Sequence, residues 1–462
     1  MPKSLRNFLE QVKTQLPDQY VEVRRPIDPA KHECTAILEH LTREQKFPLV
    51  KFVNPKNLRG EDSEMPIVSN VYARRERCAI ALDWPVDQAK QPLSLEYSRL
   101  RDEKISPQVI SRDEAPVKEI VLRGAEADPA LLPGVLHYEK DLCPVFTMTL
   151  IMKDPDTGIY DISFIKTFYK GSQRLGCSIH SPHLERILDK YEKMGKPAPV
   201  VNVIGHHPAF YLGSMALVPY DNDDYSTIGS FLREPLRLVP SETWGEDFMV
   251  PADAEILIEG EIVPGHKELV DPFGEITRHY QAQCLRQAMD VTAITRRKDA
   301  ILMDIFSGHH DHWNLGGIAK EGSLYRAVDN KLGTVTGAHI PYSGCGTLSC
   351  YISIDNKRDG DAKLAGLTAL LENCHTLQLV VVVDKDIDVF NEQDVIWAVN
   401  TCCDFDRDIT IIEKMRSVFT MALGQKKVII DATRPLDRAY PDCFKLPDSV
   451  MERIKLDEWI EK

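Results

Sequence analysis

Residues 145–170 read VFTMTLIMKDPDTGIYDISFIKTFYK. Two runs rich in β-branched and aromatic residues flank Pro155-Asp156-Thr157-Gly158, a turn composition, so the stretch predicts an antiparallel hairpin. The second run carries Asp161. A carboxylate on a buried strand is costly unless something pairs with it, so Asp161 is a candidate functional residue from the outset.

Working outward, β signals dominate from about 119 to 305: EIVLRG, PVVNVIG, AEILIEGEIV, AMDVTAITRR and AILMDIF. One helix interrupts them, SPHLERILDKYEKM at 181–194, with Ser181 as N-cap and proline at the first helical position. Residues 4 to about 110 mix helical runs (SLRNFLEQV, RRERCAIAL) with short strand-like ones (PLVKFVN, PIVSNVY). The segment 101–118 is charged and proline-containing and reads as a connector. From about 318 helices and strands alternate: LYRAVDNK, TVTGAHI, LSCYISI, DAKLAGLTALLENC, LQLVVVVD, EQDVIWAVNTC, ITII and KVIID. That alternation predicts an α/β layered unit. The fold class is therefore α/β (α+β), a β-rich middle between α/β ends. Expected domains are 1–112 (α/β), 113–317 (β-rich), 318–444 (α/β) and a helical tail at 445–462.

The chain has 462 residues, 43% hydrophobic and 27% charged, which is apolar enough to build cores and too apolar for disorder. A net charge of −14 argues against nucleic acid as the main partner. Eleven cysteines lie without framework spacing and no C-x-x-C occurs, which predicts reduced thiols and a cytoplasmic location. The N-terminal stretch reads as an amphipathic helix and not a signal peptide. The longest apolar run, LQLVVVV at 377–383, is too short to span a bilayer.

Six stretches, in order, resemble the UbiD-type decarboxylases, which use prenylated FMN. They are PIVSNVYARRERCAIAL, LRGAEADPALLP, EGEIVPGHKELVDPFGE, VTAITRRKDAIL, VVVDKDIDVFNEQDVIWAVNTCCDFDRDI and KKVIIDATRP. The resemblance implies a central split β-barrel holding the flavin, flanked by α/β segments and assembled as a homodimer or homohexamer. It implies a cofactor phosphate held through a divalent metal, Mn2+ or Mg2+, with K+ nearby. It also implies a flavin prenyltransferase as cofactor supplier.

Carried over residue by residue, the metal set is Asp161, His183 and Asp224. Asp161 stands where the family has Asn in an N-x-(S/G)-x-x-R motif, and Asp224 replaces a Glu. Asp221 and Asp223, in the same acidic loop, are alternatives to Asp224. Oxygen and imidazole donors suit such ions. The phosphate-side lysine falls at Lys427. The family's catalytic Glu-Arg-Glu set falls on Val270, Lys166 and Glu275, the last in D-P-F-G-E at 271–275. Lys166 thus keeps the charge of the arginine but loses its planar fork, and Val270 removes one carboxylate, for which Glu268 is a conceivable substitute. A lone Glu275 in a dry pocket is expected to have a raised pKa and still donate a proton, and to begin a strand. In S-G-H-H-D-H-W-N-L-G-G (307–317), read as a loop, His310 or His312 is expected to touch the substrate. An H-x-x-H metal site is the weaker reading of the same loop. The implied activity is a reversible, non-oxidative decarboxylation of an aromatic, heteroaromatic or α,β-unsaturated carboxylic acid. The alternatives are a UbiD-like subunit of a multi-subunit aromatic carboxylase, or a paralogue with impaired chemistry.

Overall fold

The computed structural model describes residues 2–270, 272–415, 426–441, 443–444 and 446–460. Near the N-terminus, β1 (Tyr20–Val23), β2 (Leu49–Phe52) and β3 (Ile67–Ser69) form a sheet that β14 (Leu302–Met303) joins from far along the chain. A small sheet pairs β4 (Gln108–Val109), β10 (Arg237–Ser241) and β11 (Gly245–Pro251).

The centre is a barrel of six strands: β6 (Val145–Lys153), β7 (Tyr160–Gly171), β8 (Arg174–Cys177), β9 (Ala198–Ile204), β12 (Ile256–Leu269) and β13 (Leu285–Arg296). They run in the order β12-β9-β6-β7-β8-β13, every neighbour antiparallel, and β12 pairs with β13 to close the ring. Closure removes the exposed strand edges that an open sheet would leave. β5 (Ile120–Arg123) adds to the outside of β13. The predicted hairpin is β6–β7, in register from Val145 opposite Phe168 to Lys153 opposite Tyr160. Its turn is tied by Asp154, whose carboxylate accepts from the Asp156 and Thr157 N–H groups at 2.8 and 3.3 Å.

The C-terminal sheet has the order β15-β16-β17-β19-β18, built from β15 (Val335–His339), β16 (Ser349–Ile354), β17 (Leu379–Asp384), β18 (Ile409–Ile412) and β19 (Lys427–Ala432). The helix Asp361–Glu372 packs with one face of it and Glu392–Cys402 with the other. A 23-residue helix, His310–Leu332, runs from the barrel to this sheet and ends on left-handed Gly333. It overturns the reading of 310–317 as loop, while 307–309 do lie outside the helix. Gly316-Gly317 depresses helix propensity locally, yet the helix continues through them because both are buried against other chain. No helix among the described residues is long and apolar enough to cross a membrane.

Candidate active site

A cavity of about 540 Å³ opens beside β7. Residues 161–166 of β7 all line it, so it follows the strand for roughly 16 Å. Three helix starts (at Pro182, Asp224 and His310) and the loop around Glu275 complete its walls. The result is a cavity with two chemically opposite ends.

The acidic end joins three of the residues expected to hold a metal. Asp161 is the second residue of β7, His183 the second of the helix Pro182–Met194, and Asp224 the first of the helix Asp224–Leu232. His183 Nδ1 lies 2.8 Å from Asp161 Oδ2. Asp224 Oδ2 accepts from the Ile162 N–H at 2.7 Å. Burial, then the charge of Asp161, pushes the Asp224 carboxyl well above its ordinary range. The alternatives separate cleanly: the Asp223 side chain caps its own helix by accepting from the Tyr225 N–H, and Asp221 is exposed. Among the described residues, no three His, Cys, Asp or Glu side chains converge closely enough to hold a metal ion by themselves. Two facing carboxylates, one of them strained by the other, nonetheless fit a hard cation completed by oxygens from a bound ligand. The start of the thirteen-residue helix Pro182–Met194 also faces this end, where its free N–H groups favour an anion such as a phosphate.

The other end holds Lys166, Glu275 and His312, and Lys320 lines the cavity two helical turns beyond His312. Lys166 Nζ is 3.0 Å from Glu275 Oε1 and 4.5 Å from the centroid of the Phe273 ring. Glu275 does not begin a strand. It opens a tight turn in which its N–H donates to His279 O and the Arg278 N–H donates back to Glu275 O, below an isolated bridge from Gly274 to Tyr280. Gly274 is required here, since a Cβ would fall 2.3 Å from the Tyr138 ring. Burial would raise the Glu275 carboxyl, but Lys166, His312 and the Ile276 N–H together outweigh it and leave it below the usual range. This overturns the expectation of a raised pKa: the lysine is close enough to win.

His312 stands in the first turn of the long helix. Burial, then Lys166, pushes it down to about 4, so the ring is neutral near pH 7. Its Nδ1 accepts from the Gly308 N–H at 3.4 Å, which places the ring proton on Nε2. Gly308 has φ +65°, and a Cβ there would lie 2.7 Å from Glu275 O, so only glycine lets this loop close on Glu275.

Three expected site residues are not brought to the cavity. Val270 is fully buried with Val145, Phe168 and Phe273, one layer behind the wall; its Cγ1 occupies the space a side chain at Gly176 would need. His310 points the other way, stacked 3.9 Å from Phe47 and 4.1 Å from Tyr342 by ring centroids. Lys427 is buried in the C-terminal sheet, where its ammonium donates to Cys374 O at 2.8 Å and to Leu377 O. A buried lysine at the start of β19 with two backbone acceptors in reach has no reason to extend further. Glu268 pairs with Arg174 at 3.1 Å on a partly exposed strand and does not line the cavity either.

Sequence reasoning missed Lys320 and His180, both cavity-lining. His312, Gly316 and Lys320 recur every fourth residue, one stripe of a helix. Extending the helix back through the two glycines would have revealed it. His180 precedes a helix and carries no local signal; its Nε2 lies 3.1 Å from Ser178 Oγ.

Three family models match the chain: the N-terminal, Rift-related and C-terminal domains of 3-octaprenyl-4-hydroxybenzoate carboxy-lyase, over residues 15–92, 108–310 and 313–432. The chain is 31% identical over 396 residues to anhydromevalonate phosphate decarboxylase of Methanothermobacter thermautotrophicus, covering 83% of this chain and 88% of that one. It is 24% identical over 443 residues to gallate decarboxylase of Lactiplantibacillus plantarum, covering 90% and 88%. The structure of the UbiD-class enzyme HmfF from Pelotomaculum thermopropionicum with FMN matches with a TM-score of 0.90 and 31% identity, over 99% of this chain and 100% of that one. An evolved dimeric form of the same enzyme with prenylated FMN matches with a TM-score of 0.88 over the same shares.

Proposed function

The chain belongs to the UbiD family of carboxy-lyases, and from that premise we propose that it is a reversible, non-oxidative decarboxylase of an α,β-unsaturated, aromatic or heteroaromatic carboxylic acid, using prenylated FMN and a divalent metal. The observation that carries this reading is one cavity with a carboxylate–imidazole set at one end and a lysine–glutamate pair at the other.

At the acidic end, Asp161, Asp224 and His183 would hold the metal and, through it, the cofactor phosphate. Binding a cation there relieves the repulsion that now raises the Asp224 carboxyl. When bound, the cofactor supplies an electrophilic carbon that no side chain can offer. At the other end Lys166 meets the substrate carboxylate. It is a point charge without a fork, so orientation depends on the Glu275 oxygen that holds it at 3.0 Å. Glu275 is ionised at rest, so it acts first to position Lys166. As carbon dioxide leaves, Glu275 takes up a proton from the Lys166 ammonium 3.0 Å away and passes it to the product carbon, and the lysine regains its proton from solvent when the product departs. Ile305, Ile162 and Leu315 among the walls exclude water from that step.

The test is to co-express the chain with a flavin prenyltransferase under anaerobic conditions. The absorbance spectrum, the mass of released cofactor and the metal content are then measured, along with CO2 release from a panel of unsaturated and aromatic acids. Prenylated FMN, a stoichiometric divalent metal and CO2 from at least one acid are expected. A folded protein with no flavin sinks the stand-alone enzyme and favours a subunit or non-catalytic role.

A further inference from the structure

Residues 278–280 of the turn that carries Glu275 are exposed. The hydrogen bonds inside this turn fold it but do not fix it to the barrel strand that bears Lys166. The 3.0 Å pair between Lys166 and Glu275 therefore needs holders from outside the turn.

Two side chains supply them, one on each side of Glu275. Asp141, in the segment that leads into β6, accepts the Gly274 N–H on Oδ1 at 2.9 Å and the Tyr138 N–H on Oδ2 at 3.0 Å. Trp313, at the start of the long helix, donates its indole N–H to Ile276 O at 2.8 Å. Ile276 in turn gives its own N–H to Glu275 Oε2 at 2.9 Å, which leaves Oε1 for Lys166. The backbone is thus gripped one residue before and one residue after Glu275, and the second grip passes through the residue that orients the carboxylate.

Both holders are themselves fixed. Ahead of Asp141, the buried His137 places Nε2 3.1 and 3.2 Å from the two carboxylate oxygens of buried Asp304, and the Tyr138 hydroxyl donates to Ser307 O. Trp313 is buried, and Gly346 packs so closely on its backbone that a Cβ there would fall 2.3 Å from the Trp313 carbonyl oxygen. Neither Asp141 nor Trp313 lines the cavity, so each can reach the reaction only through Glu275.

Resting on the reading of Glu275 as the acting carboxylate, we propose that Asp141 and Trp313 are positioning residues that together hold Glu275 against Lys166. The chemistry of each suits its half of the task. A carboxylate makes the stronger, charge-assisted bond to the Gly274 N–H, and its second oxygen ties that bond to Tyr138. An indole N–H only donates, so it serves a carbonyl oxygen, and its broad ring packs the start of the helix at the same time.

The experiment compares cofactor-loaded wild type with Trp313→Phe, Asp141→Ala and Asp141→Asn. It measures kcat against pH on the acid that the wild type consumes best, amide hydrogen exchange over residues 272–281, bound flavin and Tm. Trp313→Phe keeps an aromatic ring and removes only the N–H. Trp313→Phe and Asp141→Ala are expected to keep the flavin, to exchange faster over 272–281 and to lose about 10–100-fold in kcat, the scale on which misplacing a reacting group acts. Lys166 from β7, His312 from the long helix and His180 face Glu275. A carboxyl no longer held against Lys166 is left to burial, which raises it, so the acid limb of the kcat profile moves to higher pH. Asp141→Asn retains one oxygen for the Gly274 N–H and falls between Asp141→Ala and wild type. An unchanged kcat with an unchanged acid limb overturns the proposal, as does exchange over 272–281 that matches wild type. A kcat that falls only in step with lost flavin or lost folded protein, with the acid limb in place, also overturns it. If Asp141→Ala does not fold, Trp313→Phe decides on the same readouts. Faster exchange in the variants with no CO2 from any acid, wild type included, keeps the clamp and sinks the decarboxylase reading.

Discussion

The two ends of the cavity are built from similar parts and behave in opposite ways. At one end two carboxylates act on each other, one of them contacted by the His183 imidazole, and Asp224 resists ionisation. At the other end a lysine and a neutral histidine stand against one carboxylate, and Glu275 ionises more readily than usual. At one end burial and a neighbouring carboxylate outweigh the pull of Lys104 on Asp224, and at the other a lysine outweighs burial on Glu275. A pocket that was only a structural void has no reason to separate charge in this way. A pocket that receives a cation at one end and carboxylates at the other does.

The contrast breaks most visibly at the pair that reads as catalytic. Glu275→Gln keeps the shape of the side chain but removes both the charge that holds Lys166 and the proton carrier. Turnover is expected to fall by about 10²–10⁴-fold, measured as CO2 release from whichever acid the wild type consumes best. Lys166→Arg restores the fork and should keep or improve KM, while Lys166→Met falls as far as Glu275→Gln.

Val270→Glu comes next, and its effect is on stability. The resemblance places a second carboxylate at this position, and the side chain here fills a dry space between Gly176, Phe168 and Phe273. A carboxylate forced into that layer should cost about 3 kcal/mol or more, read as a lower denaturant midpoint, with no gain in turnover. A rise in turnover would mean that the loop turns this position into the cavity.

Asp224→Asn tests the acidic end with the opposite sign. Removing one of two repelling charges should raise the Tm of the metal-free protein once pH passes the raised Asp224 pKa, and abolish any further rise on adding Mn2+. A smaller effect sharpens the same point. The folded-state pKa of Asp224 lies above its unfolded value, so its contribution to stability is fully present below the ordinary carboxylate range and is lost as pH rises through the raised value. Mn2+ should therefore stabilise the wild type more at pH 7.5 than at pH 5. Glu275, with a lowered pKa, follows the reverse course: its contribution is present above the ordinary range and is lost only as pH falls below it.

How much of this was legible in the chain differs between the two ends. The hairpin that carries Asp161 and Lys166 is a local signal, two strand-like runs about a Pro-Asp-Thr-Gly turn, and the structure forms it in that register. The helix from Pro182, with its proline and serine start, is equally local. The closure of β12 on β13, and the meeting of residues 161, 183 and 224, are long-range events that spacing alone does not contain; the resemblance to a family supplied them. It also misled. Val270 and Lys427 follow from counting along motifs and His310 from the likeness of its loop, and each is turned away by packing that neither can see: an apolar layer, an aromatic stack, and a pair of carbonyl acceptors. Lys320 was overlooked because a Gly-Gly step looks like the end of a helix, whereas burial against neighbouring chain carries the helix through.

The most direct test of two separate ends is to co-express wild type, Asp224→Asn and Glu275→Gln with a flavin prenyltransferase, and to measure bound cofactor, bound metal and CO2 release for each. The account predicts that Asp224→Asn loses metal and cofactor together, and that Glu275→Gln keeps both but releases no CO2. If both variants lose the cofactor, or if neither does while both still turn over, the division of the cavity into a holding end and a reacting end is wrong.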